Sequence, residues 1–113
     1  MSRQWETWMT RGDDKDPHGH PLIVLSNDEA CADVNRASIN VLFGSTKRPG
    51  IANRPFEIAC DEADGFERLT VIDCSRIYFI PKLKLGRQLN NVSRVRKVQV
   101  CRKIAEVFRL AFQ

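Results

Sequence analysis

Apolar residues in this chain come in short runs separated by polar, glycine-bearing or proline-bearing stretches, and the runs read as strands more than as helices. Trp5 to Met9 is a first, aromatic-rich strand, bounded by Arg11-Gly12. Residues 11–19 have no apolar anchor and form an exposed loop. Pro21 opens a second strand over 21–26, whose Leu22 to Leu25 run has the character of a buried strand. Ser26 or Asn27 then caps a short helix through about Val34, with Asp28 and Glu29 against its positive end. A third strand spans 38–44 and ends in a polar stretch, Gly44-Ser45-Thr46-Lys47-Arg48, that leads into a loop containing Pro49-Gly50.

A fourth strand over 55–60 and a fifth over 68–73 are joined by an acidic turn around Asp64-Gly65, and a sixth over 76–80 stops at Pro81. From Ser93 to Phe112 the period changes to that of a helix. Val98, Cys101, Ala105, Phe108 and Phe112 recur at spacings of three and four, with Ile104 and Ala111 widening the stripe. The expected architecture is mainly β: a small six-stranded antiparallel barrel, closed or nearly so, with a short internal helix and a C-terminal amphipathic helix packed on it through that stripe.

At 113 residues the chain is expected to form one domain, 1–113, burying roughly two-thirds of its unfolded surface. No apolar run approaches the roughly 20 residues that span a bilayer, and no charged-then-apolar leader opens the chain. The expectation is therefore a cytoplasmic protein with no membrane contact. Cys31, Cys60, Cys74 and Cys101 are separated by 28, 13 and 26 residues, so no Cys-x-x-Cys pair supports a zinc or redox site, and reduced, structural thiols are expected.

Charge is unevenly distributed. The net charge is +4, but residues 82–113 hold nine Lys/Arg against the single acid Glu106, a net of +8. A basic end on a small domain is either an electrostatic footprint for a polyanion or a solvated helix face, and charge alone leaves both readings open. The cations at strand ends and in loops, Arg11, Lys47, Arg48, Arg76, Lys82 and Lys84, are candidates for a nucleic-acid surface, with Asp73 beside Arg76. Asp73 and Arg76 also read as a structural ion pair. The alternation Asp16-x-His18-x-His20 needs a third ordered ligand before it reads as a metal site, and no metal or other cofactor is expected.

Two apolar strands that deliver a His, two hydroxyls and two cations to their ends are a way to build a phosphate-handling site. Ser45 and Thr46 also read simply as turn residues, and His20 as an idle loop-end His. Four stretches tip the balance. Trp5-Glu-Thr-Trp-Met9, Gly19-His-Pro-Leu-Ile-Val-Leu-Ser-Asn27, Val41-Leu-Phe-Gly-Ser-Thr46 and, further on, Pro55-Phe-Glu-Ile58 with Val71-Ile-Asp-Cys-Ser-Arg76 and Leu85-Gly-Arg87 resemble, in order, the strands and closing linker of the MazF/PemK toxins of toxin–antitoxin pairs.

The resemblance implies an SH3-like barrel, a homodimer and an endoribonuclease that cuts single-stranded RNA without a metal, by attack of the ribose 2′-hydroxyl on the adjacent phosphate. It also implies a small antitoxin with an acidic, disordered tail as partner. The family carries an Arg before the Pro of its second strand and a Thr-Ser pair at the end of its third. The matching positions here are His20, Ser45 and Thr46, the expected catalytic residues. The Ser for Thr exchange keeps a hydroxyl. His for Arg exchanges a permanent cation for a group that titrates near neutrality and moves protons well. A catalytically silent barrel that binds nucleic acid or protein is the alternative that this exchange keeps open. The homodimer is also expected on physical grounds, since the Trp5/Trp8 strand and a barrel edge need covering.

Overall fold

The computed structural model describes residues 1–110. Seven strands are present: β1 (Glu6–Thr10), β2 (Pro21–Val24), β3 (Ser38–Thr46), β4 (Glu57–Cys60), β5 (Thr70–Asp73), β6 (Tyr78–Pro81) and β7 (Leu85–Asn91). Two α-helices accompany them, α1 (Asp28–Ala32) and α2 (Arg94–Val107). Every ladder is antiparallel and the hydrogen-bonded order is β4-β5-β3-β2-β1-β7, with β6 on β3. The mainly β antiparallel class agrees with the expectation. Among the described residues, no ladder joins β4 to β7 to close the sheet into a barrel.

β3 organises the sheet because it is long enough to serve three partners. Ser38 to Val41 pair with β6, Val41 to Phe43 with β2, and Gly44 to Thr46 with β5. The apolar runs of β2 and β3 lack strict alternation because both faces are covered. Ile23 and Leu42 point into one cluster with Ile58, Ile72 and Val100, while Leu22, Val24, Ile39 and Val41 point into a second with Cys31 and Leu85. Leu22, Ile23 and Val24 are fully buried, each worth about 1.5–3 kcal/mol of transfer free energy. Gly44 lets β5 come this close: a Cβ there would sit 2.6 Å from Thr70 Cγ2.

Four expectations are corrected. β1 begins one residue late, because Trp5 takes a left-handed backbone (φ 68°), held by Trp5 N–H to Val24 C=O (2.8 Å) and Val92 N–H to Trp5 C=O (2.9 Å). A seventh strand exists where a linker was expected. β7 contains Gly86, Asn90 and Asn91, poor strand formers, and forms against β1 with two register shifts that send Leu85 and Leu89 into different clusters. Since β1 is thus paired on both edges, and Trp5 and Trp8 pack on the two clusters, the Trp5/Trp8 strand is covered within the chain, while β4 and β7 remain as sheet edges among the described residues.

The fourth correction concerns α2. The helix starts where expected, with Ser93 as its cap accepting Arg96 N–H at 3.3 Å, but it ends at Val107. Arg109 is left-handed (φ 53°) and Leu110 N–H bonds back to Ala105 C=O at 2.8 Å, which closes the last turn. The buried side carries Val100 (0% exposed) and Ile104, whereas Val98 and Phe108 are each 46% exposed and Cys101 is also exposed. Of the predicted stripe, Ile104 packs on the core and Ala105 is half-buried, while Val98, Cys101 and Phe108 face away from the sheet. Its last members, Ala111 and Phe112, lie outside the described residues.

Candidate functional site

His20 stands at the mouth of β2, and Thr10 holds its backbone on both sides. His20 N–H donates to Thr10 Oγ1 (2.8 Å) and His20 C=O accepts Thr10 N–H (2.9 Å). Gly19 makes this approach feasible: its φ is 71°, and a Cβ would lie 2.2 Å from Thr10 C=O. The imidazole is well exposed, with its ring edge-on to Phe43 (centroids 6.2 Å apart), which in turn packs edge-on to Tyr78 at 5.0 Å. Its Nε2 meets Asp16 Oδ2 at 2.5 Å.

Ser45 and Thr46 are exposed at the end of β3, where the strand has left β2 and pairs with Val71 and Thr70 of β5. The β2–β3 register, Leu22 opposite Phe43, sets His20 against Ser45 when continued toward the strand mouth. The result is a cavity of about 680 Å³ whose wall includes His18, His20, Ser45, Thr46, Arg68 and Arg87, with Met9, Pro21, Phe66 and Leu89 as its apolar lining. A second cavity of about 630 Å³ shares Ser45 and Thr46 and continues past Arg48, Arg54 and Glu57. The two hydroxyls thus sit where two basic hollows meet, an arrangement suited to a phosphate between two nucleotides.

The other sequence candidates are dispersed. Lys47 and Arg48 line the second cavity, but Lys47 Nζ is engaged by Ile51 C=O and, at 2.7 Å, by Asn53 Oδ1. Arg11 Nε donates to Leu85 C=O (3.2 Å) and Lys82 Nζ to Asp33 C=O (2.8 Å), on the side of the sheet where β7 begins. Asp73 Oδ1 accepts both Ser75 N–H (2.8 Å) and Ser75 Oγ–H (2.5 Å), closing a turn. The Tyr78 hydroxyl beside Arg76 raises the already high pKa of that guanidinium. Asp73, Arg76, Lys82 and Lys84 line neither cavity.

Sequence reasoning missed Arg68 and Arg87. Arg87 lies opposite Met9, which lies opposite Pro21, so the register across three strands brings it to the His20 mouth. Its NH2 group donates to Glu67 Oε1 at 2.7 Å. The hydrogen bond to Arg87 holds the Glu67 carboxyl below its ordinary range. No local pattern signals Arg87: Leu85, Arg87 and Leu89 would share one face of a regular strand, and it is the register shifts against β1 that separate them. Among the described residues no group of three or more His, Cys, Asp or Glu side chains converges as a metal ion requires. Burial pushes the Cys60 and Cys74 thiols up to about 12, so neither is a nucleophile at neutral pH.

Comparison with known proteins bears on the fold and the family. The family described as PemK-like, MazF-like toxin of type II toxin–antitoxin system matches residues 3–108. No curated protein matches the chain. Among solved structures, an endoribonuclease in complex with its cognate antitoxin from a mycobacterial species is similar, with a TM-score of 0.77 at 16% identity, covering 100% of both chains. The Mycobacterium tuberculosis toxin MazF-mt6 gives 0.74 at 19% identity, covering 95% of this chain and 99% of that one. A MazE-MazF structure from Deinococcus radiodurans gives 0.70 at 12% identity, with 97% and 98% covered. At these identities the structures testify to a shared fold, and the match over 3–108 goes further: the chain belongs to the PemK-like, MazF-like toxin family of type II toxin–antitoxin systems.

Proposed function

We propose that the chain is an endoribonuclease toxin that cuts single-stranded RNA without a metal ion. The observation that carries this reading is the single cavity shared by His20 at the mouth of β2 and by Ser45 and Thr46 at the end of β3. In the proposed reaction the His20 imidazole takes the proton of a ribose 2′-hydroxyl. The 2′-oxygen bonds to phosphorus, the bond from phosphorus to the 5′-oxygen breaks, and that oxygen takes a proton from solvent. The products are a 2′,3′-cyclic phosphate and a 5′-hydroxyl. Ser45 and Thr46 donate hydrogen bonds to the non-bridging oxygens, while Arg68 and Arg87 offset their charge. Arg48 and the loop around Lys47 carry the strand onward, and the wider surface includes Arg11, Asp73, Arg76, Lys82 and Lys84.

Two partners accompany this reading. One is a second copy of the chain. Large apolar side chains stay exposed around β6 (Ile77, Phe79, Leu83) and on α2 (Val95, Val98), which supports a covered surface there. The other is an antitoxin with an acidic, disordered tail suited to the basic hollows; solved neighbours are described as an endoribonuclease with its cognate antitoxin and as MazE-MazF. A cytoplasmic setting goes with four unpaired cysteines among the described residues. No described helix is long and apolar enough to cross a membrane.

The test is cleavage of an RNA in chelator-containing buffer. His20→Ala should lower the rate about 10²–10⁴-fold, far more than His18→Ala. A single 2′-deoxy substitution at the cut site should abolish cleavage there. Persistence of that cut would refute the 2′-hydroxyl mechanism, and a wild type that binds RNA but never cuts it would favour the silent barrel.

A further inference from the structure

The β1–β2 loop brings a carboxylate onto the imidazole that the proposed reaction uses. Asp13 Oδ1 accepts the N–H groups of Lys15 (2.9 Å) and Asp16 (2.7 Å), and Asp16 C=O accepts those of Asp13 (3.0 Å) and Gly19 (3.2 Å). These bonds use only the backbone of Asp16. Its side chain is committed to one partner, with Oδ2 2.5 Å from His20 Nε2.

The pair is open to solvent, with side chains 37% (Asp16) and 61% (His20) exposed, and such pairs add little to stability. What the contact does determine is which nitrogen of the ring is free. A carboxylate accepts only, so Nε2 carries a proton, and in the neutral ring Nδ1 is then the nitrogen with the lone pair. The Phe43 contact and the Thr10 backbone clamp limit how the ring turns. Glu67, Arg68, Arg87 and His18 are the other titratable or charged groups of this cavity, and Glu67 is already paired with Arg87.

We propose that Asp16 is a positioning residue for His20: by accepting Nε2–H it holds the tautomer whose Nδ1 takes the 2′-hydroxyl proton, and it faces the imidazolium as that forms. The proton moves from the 2′-oxygen to Nδ1, the Nε2 proton stays on the ring, and Asp16 stays ionised throughout. This assignment rests on the reading of His20 as the proton acceptor. It also gives a role to the Asp16-x-His18-x-His20 alternation that requires no metal.

The chain has two histidines, so ¹⁵N-histidine labelling resolves both rings, with His18→Gln used for assignment. In the neutral His20 ring the ¹⁵N shifts should show Nε2 fully protonated and Nδ1 of lone-pair type, and Asp16→Ala should relax this to the mixed tautomers of a free imidazole. In cleavage assays Asp16→Ala should lower kcat about 10–100-fold with KM little changed. Asp16→Glu should recover part of the activity, and Asp16→Ala should add nothing in a His20→Ala background. Undiminished kcat in Asp16→Ala, or tautomers already mixed in the wild type, overturns this inference and leaves the His20 assignment standing. Full activity in His20→Ala overturns the His20 assignment and this inference with it.

Discussion

Asp64 ties the turn between β4 and β5 to the start of α2, and removing its charge should loosen both. The side chain is 2% exposed and accepts three donors: Ser93 Oγ–H at 2.6 Å, Arg96 Nε–H at 2.9 Å and Asp61 N–H at 3.0 Å. Burial opposes ionisation, but the Ser93 hydroxyl, the Asp61 N–H and the Arg96 guanidinium outweigh it and hold the carboxyl below its ordinary range. The folded-state pKa is thus depressed relative to the unfolded chain. The stabilisation is fully present above the ordinary Asp value and is lost as pH falls through the folded value.

Breaking a buried pair by deleting one partner costs about 3–5 kcal/mol, and Arg96, 26% exposed, recovers part of its hydration, so Asp64→Ala should cost about 3 kcal/mol. Asp64→Asn keeps the volume and one acceptor and should cost about 1–2 kcal/mol. With a urea m-value of about 1.5 kcal/mol/M, the alanine variant's midpoint should fall by about 2 M at pH 7. Urea titrations near pH 3 should show a smaller gap between wild type and Asp64→Asn than those at pH 7. Coincident midpoints at pH 7, or a gap unchanged by acid, would refute the reasoning.

The helix register gives a paired test: Val100→Ala should cost about 2–3 kcal/mol, whereas Phe108→Ala, at a half-exposed site, should cost under about 1 kcal/mol, both read by urea unfolding. Gly19→Ala requires both a left-handed alanine and a displaced Thr10 carbonyl, so the chain should stay folded by circular dichroism while RNA cleavage falls at least tenfold. Arg87→Gln should weaken single-stranded RNA binding and reduce the salt slope by about 0.7, while Glu67→Gln, which frees Arg87, should strengthen binding; an unchanged slope would place the phosphate elsewhere. In the folded chain, at a dilution that separates any second copy, a maleimide should label Cys101 rapidly and leave Cys31, Cys60 and Cys74 protected until the chain is unfolded, as mass spectrometry would show.

Local chemistry made much of this molecule legible from its sequence. The apolar runs of β2 and β3, a cap at Ser26 or Asn27, the start of the last helix near Ser93 and the strand-end placement of His20, Ser45 and Thr46 depend on neighbours within a few residues, where propensity and hydrogen-bonding rules act. What tertiary contacts decided is of another kind. β7 is a strand because β1 offers a ladder to a segment whose own residues resist it. α2 turns Val100 inward, and not Val98, because Asp64 captures Arg96 from 32 positions away and so sets the rotation of the first turn. Arg87 reaches the His20 mouth only through cross-strand register and Arg68 through the bend before β5, and Asp16 reaches it only because Gly19 and Thr10 fold the loop back. The sequence alone determined which chemistry is present; long-range pairing determined which groups share a cavity, since register and helix rotation depend on contacts that no local window contains.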